Sequence, residues 1–94
     1  MAGEGSNIEV MFPENMQSGV YANNMMVQHN KEEFIMDFMM VAPPAGTVNA
    51  RVIVSPGHMK RMIAALQDNM KRYEKSFGQI EEASEHKVKL GFQP

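Results

Sequence analysis

The 94-residue chain predicts an α+β fold: a small antiparallel sheet of three to four strands followed by one long amphipathic helix, in β-β-β-α order. Three observations carry this expectation. Runs of apolar and β-branched residues are punctuated by Asn, Gly and Pro across residues 20–54. A seven-residue apolar repeat then extends from Met59 to Phe77. Hydrophobic residues make up 44% of the chain, enough to drive folding rather than leave it disordered.

The elements follow in chain order. Residues 1–13 read as an N-terminal tail, with Ile8–Phe12 (IEVMF) as a candidate edge strand ended by Pro13. Residues 14–80 read as a single α+β domain. It opens with a loop over Glu14–Gly19, and Val20–His29 follows as the first strand, with turn chemistry in Asn30-Lys31-Glu32. Phe34–Ala42 is the second strand, stopped by Pro43 and Pro44, which have no N–H to give to a ladder. Ala45–Asn49 reads as a connecting loop and Arg51–Val54 as the third strand. Ser55 is a favoured N-cap because its hydroxyl accepts from an orphan backbone N–H, and Pro56 brings no N–H that needs a partner. The helix then runs to about Phe77, where Gly78 closes it. Residues 81–94 read as a charged tail, with Lys87–Phe92 as a candidate last strand.

Two series in the helix, Ile63–Met70–Phe77 and Met59–Leu66–Tyr73, interleave by three and four and are widened by Met62. Such a heptad stripe suits packing on the chain's own sheet or, in part, on the same helix of a second subunit. Strand alternation sharpens the choice. Phe34, Met36, Phe38 and Met40 share one face of the second strand and are expected to lie under the helix. Ile35, Asp37, Met39 and Val41 share the other, with Ile53 beside them on the third strand. This second face is also mostly apolar, unlike the solvated face of an ordinary antiparallel sheet. One helix cannot cover both. The expectation is therefore a two-fold homodimer whose core or dimer face includes Ile35, Met39, Val41, Ile53, Ile63, Leu66, Met70 and Tyr73, with an obligate-type interface above about 2,000 Å².

Composition narrows the function classes. The net charge of −2 argues against a polycation gripping phosphates by charge alone, and the absence of Cys removes disulfides, thiolate zinc sites and thiol catalysis. The start has no basic region leading into an apolar stretch, and the most apolar run, Phe34–Ala42, is far short of the ~20 residues that span a bilayer. A soluble, cytoplasmic protein with no membrane partner is the expectation.

Little catalytic chemistry can be assembled. The eleven methionines, against two leucines, read as adaptable core fillers rather than soft copper ligands, since no ligand spacing accompanies them. His29, His58 and His86 form no helical pair, so no metal or other cofactor is expected. Asp37 lies between Ile35 and Met39 on a face expected to be covered, where a carboxylate requires a partner. Arg51, on the same face of the next strand, is the first candidate for a structural polar pair and Asn23 the second. Lys60, Arg61, Lys71, Arg72 and Lys75 line the polar side of the helix, but Asp68 and Glu74 among them favour a solvated face.

The motifs YANNMMVQHNKEEFIMDF (21–38) and ARVIVSPGHMKRMIAALQDNMKRYEKSFGQI (50–80), with the spacing between them, resemble a widespread prokaryotic family catalogued as domain of unknown function 3467. The resemblance rests on Tyr21-Ala22-Asn23, on Glu33, Phe34, Ile35, Asp37 and Phe38, and on Ser55, Pro56, His58, Lys60 and Arg61. It continues through Ala65–Asn69 and Tyr73-Glu74 to Phe77-Gly78, and covers roughly residues 14–80. The chain departs from it in its methionines, which stand where members often carry Leu, Val or Ile. It also differs in the loop after Pro43, which is longer and more basic in many relatives. The family has no established activity to carry over. The expectation is a homodimeric, non-enzymatic interaction or adaptor module with itself and an unidentified protein as partners; the rival is a weak nucleic-acid binder using the basic helix face. An enzyme ranks last, since no phosphate loop, nucleophile elbow or acid–base pair can be read.

Overall fold

The computed structural model describes residues 7–84 and 88. Three antiparallel strands, β1 (Asn24–His29), β2 (Phe34–Ala42) and β3 (Ala45–Val54), form a sheet of order β1-β2-β3, and the helix α1 (Pro56–Phe77) follows. The fold is α+β with the order β-β-β-α.

Local chemistry sets each junction. At the β1–β2 turn the Asn30 side-chain oxygen accepts from the backbone N–H groups of Glu32 and Glu33, both at 2.8 Å, the local hydrogen bonding that favours Asn in turns. The Ser55 hydroxyl accepts from His58 N–H at 3.2 Å and caps α1. At the far end Gly78, with φ of 94°, donates its N–H to the Glu74 carbonyl. That backbone region is open to glycine at little cost.

Several boundaries differ from the sequence reading. β1 begins at Asn24 rather than Val20, because the next rung is taken by a side chain: the Asn23 amide donates to the Val41 carbonyl at 2.9 Å and accepts from the Val41 N–H at 2.8 Å. β3 begins at Ala45 rather than Arg51, so residues 45–49 are strand and not loop. Pro43 and Pro44 form a two-residue connection that needs no ladder donor, and Ala42 pairs at once with Ala45. A bulge absorbs Asn49, since Phe38 faces Ala50 while Met39 faces Val48. A single 3-10 turn, Glu14–Met16, interrupts the expected loop. Ile8–Phe12 joins no strand. The candidate last strand, Lys87–Phe92, lies outside the described residues except for Val88, which belongs to no element.

The larger correction concerns the core. Among the described residues the buried apolar side chains are Met36 and Met39 on β2, each 3% exposed, joined by the 1% exposed Asp37. α1 buries none of its residues and makes at most marginal contact with the sheet, so Phe34, Met36, Phe38 and Met40 do not lie beneath it as expected. The link explains this. Ser55 alone joins β3 to α1, fewer than the two to six residues that usually turn a helix back onto its sheet. The radius of gyration, 16.6 Å, accordingly exceeds the roughly 12 Å of a compact chain of this length.

Candidate interaction surface

The polar centre of the sheet is built by register. Asp37 on β2 pairs with Arg51 on β3, which sets both side chains on one face. The guanidinium grips the carboxylate with two parallel bonds, Nε to Oδ1 at 2.6 Å and Nη2 to Oδ2 at 2.9 Å. This fork geometry combines charge and direction. The pair is lopsided: the Asp37 side chain is enclosed, whereas the Arg51 side chain is 56% exposed and lies over it. Hydrogen bonding from Arg51 lowers the Asp37 pKa below the ordinary carboxylate range, burial opposes that shift, and the guanidinium charge reinforces it. Asn23, the second candidate partner for Asp37, instead spends its amide on Val41.

A second polar tie escaped the sequence reading. The Asn49 side chain donates to the Tyr21 carbonyl at 2.7 Å, fastening the segment before β1 to the strand on the opposite edge of the sheet. Tyr21 and Asn23 thus hold the entry to the sheet, Tyr21 through its backbone and Asn23 through its side chain. Asn49 was read as loop and in fact sits at the bulge, for which the sequence carries no local signal.

Around the start of α1, Arg61 Nη2 donates to His58 Nδ1 at 2.9 Å. Further along, Arg72 pairs with Asp68 at 2.9 Å. Lys60, Lys71 and Lys75 enter no ion pair among the described residues. Among the described residues, no group of three or more His, Asp or Glu could hold a metal ion, and no helix is long and apolar enough to cross a membrane.

What the elements present most plainly is apolar surface. Ile63, Met70 and Tyr73 are about half exposed, Leu66 66% and Phe77 76%. The Tyr73 and Phe77 rings pack against each other at a tilt, with centroids 5.0 Å apart. After α1 the chain turns back, with Ile80 N–H donating to a Glu74 carboxylate oxygen at 3.1 Å. A shallow open trough of about 360 Å³ results, lined by Leu66, Asn69, Met70, Tyr73 and Ile80. On the sheet, Met25, Val27, Met40 and Val52 lie open on the Met36 face, and Ile53 on the Asp37 face. Of the expected core or dimer residues, Met39 is buried, Ile35 and Val41 are half-buried, and Ile53, Ile63, Leu66, Met70 and Tyr73 are exposed. Sheet and helix residues therefore form two separate surfaces in the single chain.

The profile of the family described as "protein of unknown function (DUF3467)" matches residues 1–82. The chain belongs to that family. No curated protein and no solved structure gives a significant match. Membership in DUF3467 thus joins the geometry to a shared fold unit and brings no activity with it.

Proposed function

We propose that this DUF3467 protein is a homodimeric, non-enzymatic interaction module, acting as an adaptor. One observation carries the reading: among the described residues no element covers the helix stripe, and Met25, Val27, Met40 and Val52 beside the buried Met36 stay exposed. A large apolar side chain offers roughly 150–250 Å². Scaled by their exposure, Ile63, Leu66, Met70, Tyr73 and Phe77 with the open sheet residues leave on the order of 1,000 Å² per chain. Two copies burying this surface reach about 2,000 Å², the range of obligate dimers. A single chain would otherwise expose two apolar patches whose sum exceeds the roughly 300–600 Å² of the largest patch on a typical soluble monomer.

The adaptor half of the proposal follows from what remains outside the dimer. α1 carries five cations against two carboxylates, +3, while the whole chain is −2, so its polar face is a cationic strip beside an acidic remainder. An acidic protein surface fits that strip. The rival ligand is nucleic acid, and retention on immobilised DNA or RNA at rising salt separates the two. A steep loss of strong binding between about 50 and 200 mM salt identifies phosphate contacts, whereas absence of retention at the lower salt sustains the protein-partner reading. The dimer itself is tested by thermal unfolding over a hundredfold concentration range: a midpoint that rises with concentration supports it, and a fixed midpoint opposes it.

A further inference from the structure

The apolar stripe of α1 is symmetric about its own middle. Counted along the chain from Asp68, Leu66 and Met70 stand two residues away on either side, Ile63 and Tyr73 five, and Met59 and Phe77 nine. An antiparallel copy of the helix, related by a two-fold axis level with Asp68, therefore sets Leu66 against the partner's Met70. It likewise sets Ile63 against the partner's Tyr73 and Met59 against the partner's Phe77. All six stripe residues find an apolar counterpart. A slip of one heptad in either direction leaves two of the six with no stripe residue opposite. A two-fold interface requires this self-complementarity, in which residue i meets j and j meets i. The match selects a second copy of this helix as the occupant, because the complement of the stripe is the stripe itself.

We propose that α1 binds α1 of a second copy, antiparallel and in this register, as the helical part of the dimer; the proposal rests on the dimeric reading above. The surface of the helix has the matching shape. Leu66, Asn69, Met70 and Tyr73, which line the open trough, stand at i, i+3, i+4 and i+7. That is the spacing of the four-residue hole that receives a knob in paired helices. In this register the partner's Leu66 lies level with Met70 and enters the hole, while Leu66, 66% exposed, enters the partner's.

Charge fixes the direction. The row beside the stripe on one flank reads Lys60, Gln67, Glu74, and on the other Met62, Asn69, Ser76. Antiparallel helices bring like rows together, so Lys60 stands beside the partner's Glu74 and Glu74 beside the partner's Lys60, two opposite-charge pairs in each dimer. Parallel helices bring unlike rows together and form none. Flanking charges of this kind set partner and orientation in paired helices. Lys60 enters no ion pair among the described residues, and Glu74 commits one carboxylate oxygen to the Ile80 N–H. Arg61, Lys71, Arg72 and Lys75 fall on the outer face, so the pairing leaves most of the cationic strip to other partners.

Full-length Lys60→Glu and Glu74→Lys chains test the pairing by sedimentation at about 50 mM salt, where exposed charges are weakly screened. Each variant alone sets two like-charge pairs across the helices and should weaken association roughly three- to tenfold. Mixed in equal amounts they restore both opposite-charge pairs, and association should return to within about twofold of the original chain. Recovery on mixing is the deciding result, because Glu74→Lys also removes the acceptor of the Ile80 N–H. The chain has no cysteine, so Lys60→Cys and Glu74→Cys chains, treated with a bismaleimide spanning about 10 Å, the separation of packed helices, supply a second readout. The mixture should yield a covalent species of twice the chain mass. Either variant alone should yield little, since its two cysteines lie roughly 18–24 Å apart along the helix axis. A dimer that lacks recovery on mixing, or lacks the mixed cross-link, overturns the helix pairing and leaves the dimer standing. A monomer throughout, the original chain included, removes both.

Discussion

The sheet and the helix of this protein are finished to different degrees. β2 has partners on both sides, a forked ion pair at its centre and a side-chain amide completing its last rung. α1 is well made as a helix, with a Ser55 cap, a glycine stop and an i,i+4 ion pair, but buries nothing. The sheet is held by hydrogen bonds it makes itself; the helix has its local signals satisfied and its apolar stripe unsatisfied. Local rules are enough to form an element, and only burial anchors it. The difference locates where a second surface is needed.

Substitutions at the two places should therefore fail differently. Leu66→Asp has the largest expected effect on association, because a carboxylate in the middle of the stripe would be buried without a partner. The dissociation constant should rise at least about a hundredfold, read by sedimentation, while the 66% exposure of Leu66 leaves the single-chain sheet untouched. Met39→Lys, by contrast, strikes a buried residue and should disrupt the sheet whether or not a dimer forms.

Arg51→Ala comes next, in the sheet. It strands an enclosed carboxylate, whereas Asp37→Ala merely frees a guanidinium that already reaches water. At pH 7 Arg51→Ala should lower the thermal midpoint by about 10 °C or more, and by more than Asp37→Ala does. The pH dependence has a definite sign. Arg51 holds the folded pKa of Asp37 below its value in the unfolded chain. The pair's stabilisation is thus complete above the unfolded value of about 3.9 and is lost as pH falls through the depressed folded value. The gap between the midpoints of the original chain and Arg51→Ala should narrow below about pH 4. A constant gap from pH 7 to pH 3 would mean that Asp37 does not titrate through Arg51.

Smaller effects mark the ends of the elements. Asn23→Ala removes two hydrogen bonds to Val41 and should cost about 1–2 kcal/mol in denaturant unfolding. Ser55→Ala should cost about 1 kcal/mol through the lost cap. An unchanged midpoint for Ser55→Ala would mean that α1 is not anchored at that residue.

Legibility in the sequence followed the range of the interactions. The start and stop of α1 were readable because a Ser-Pro cap and a glycine act within one turn. The face shared by Asp37 and Arg51 was readable because strand alternation is strict. The first residues of β1 and β3 were not, since they depend on a side chain standing in for backbone at Asn23 and on a ladder that resumes immediately after Pro43-Pro44. The bulge at Asn49 has no local signal, so its bond to Tyr21 was invisible. The stripe of α1 was legible as apolar, but apolarity does not name what covers it, and a one-residue link to β3 kept the nearest sheet from doing so.

Sedimentation equilibrium of the unmodified chain at low micromolar concentration tests the central claim most directly. The predicted result is a single species of twice the 10.6 kDa chain mass, with helix and sheet intact by circular dichroism. A folded monomer of 10.6 kDa, stable across that range, would contradict it.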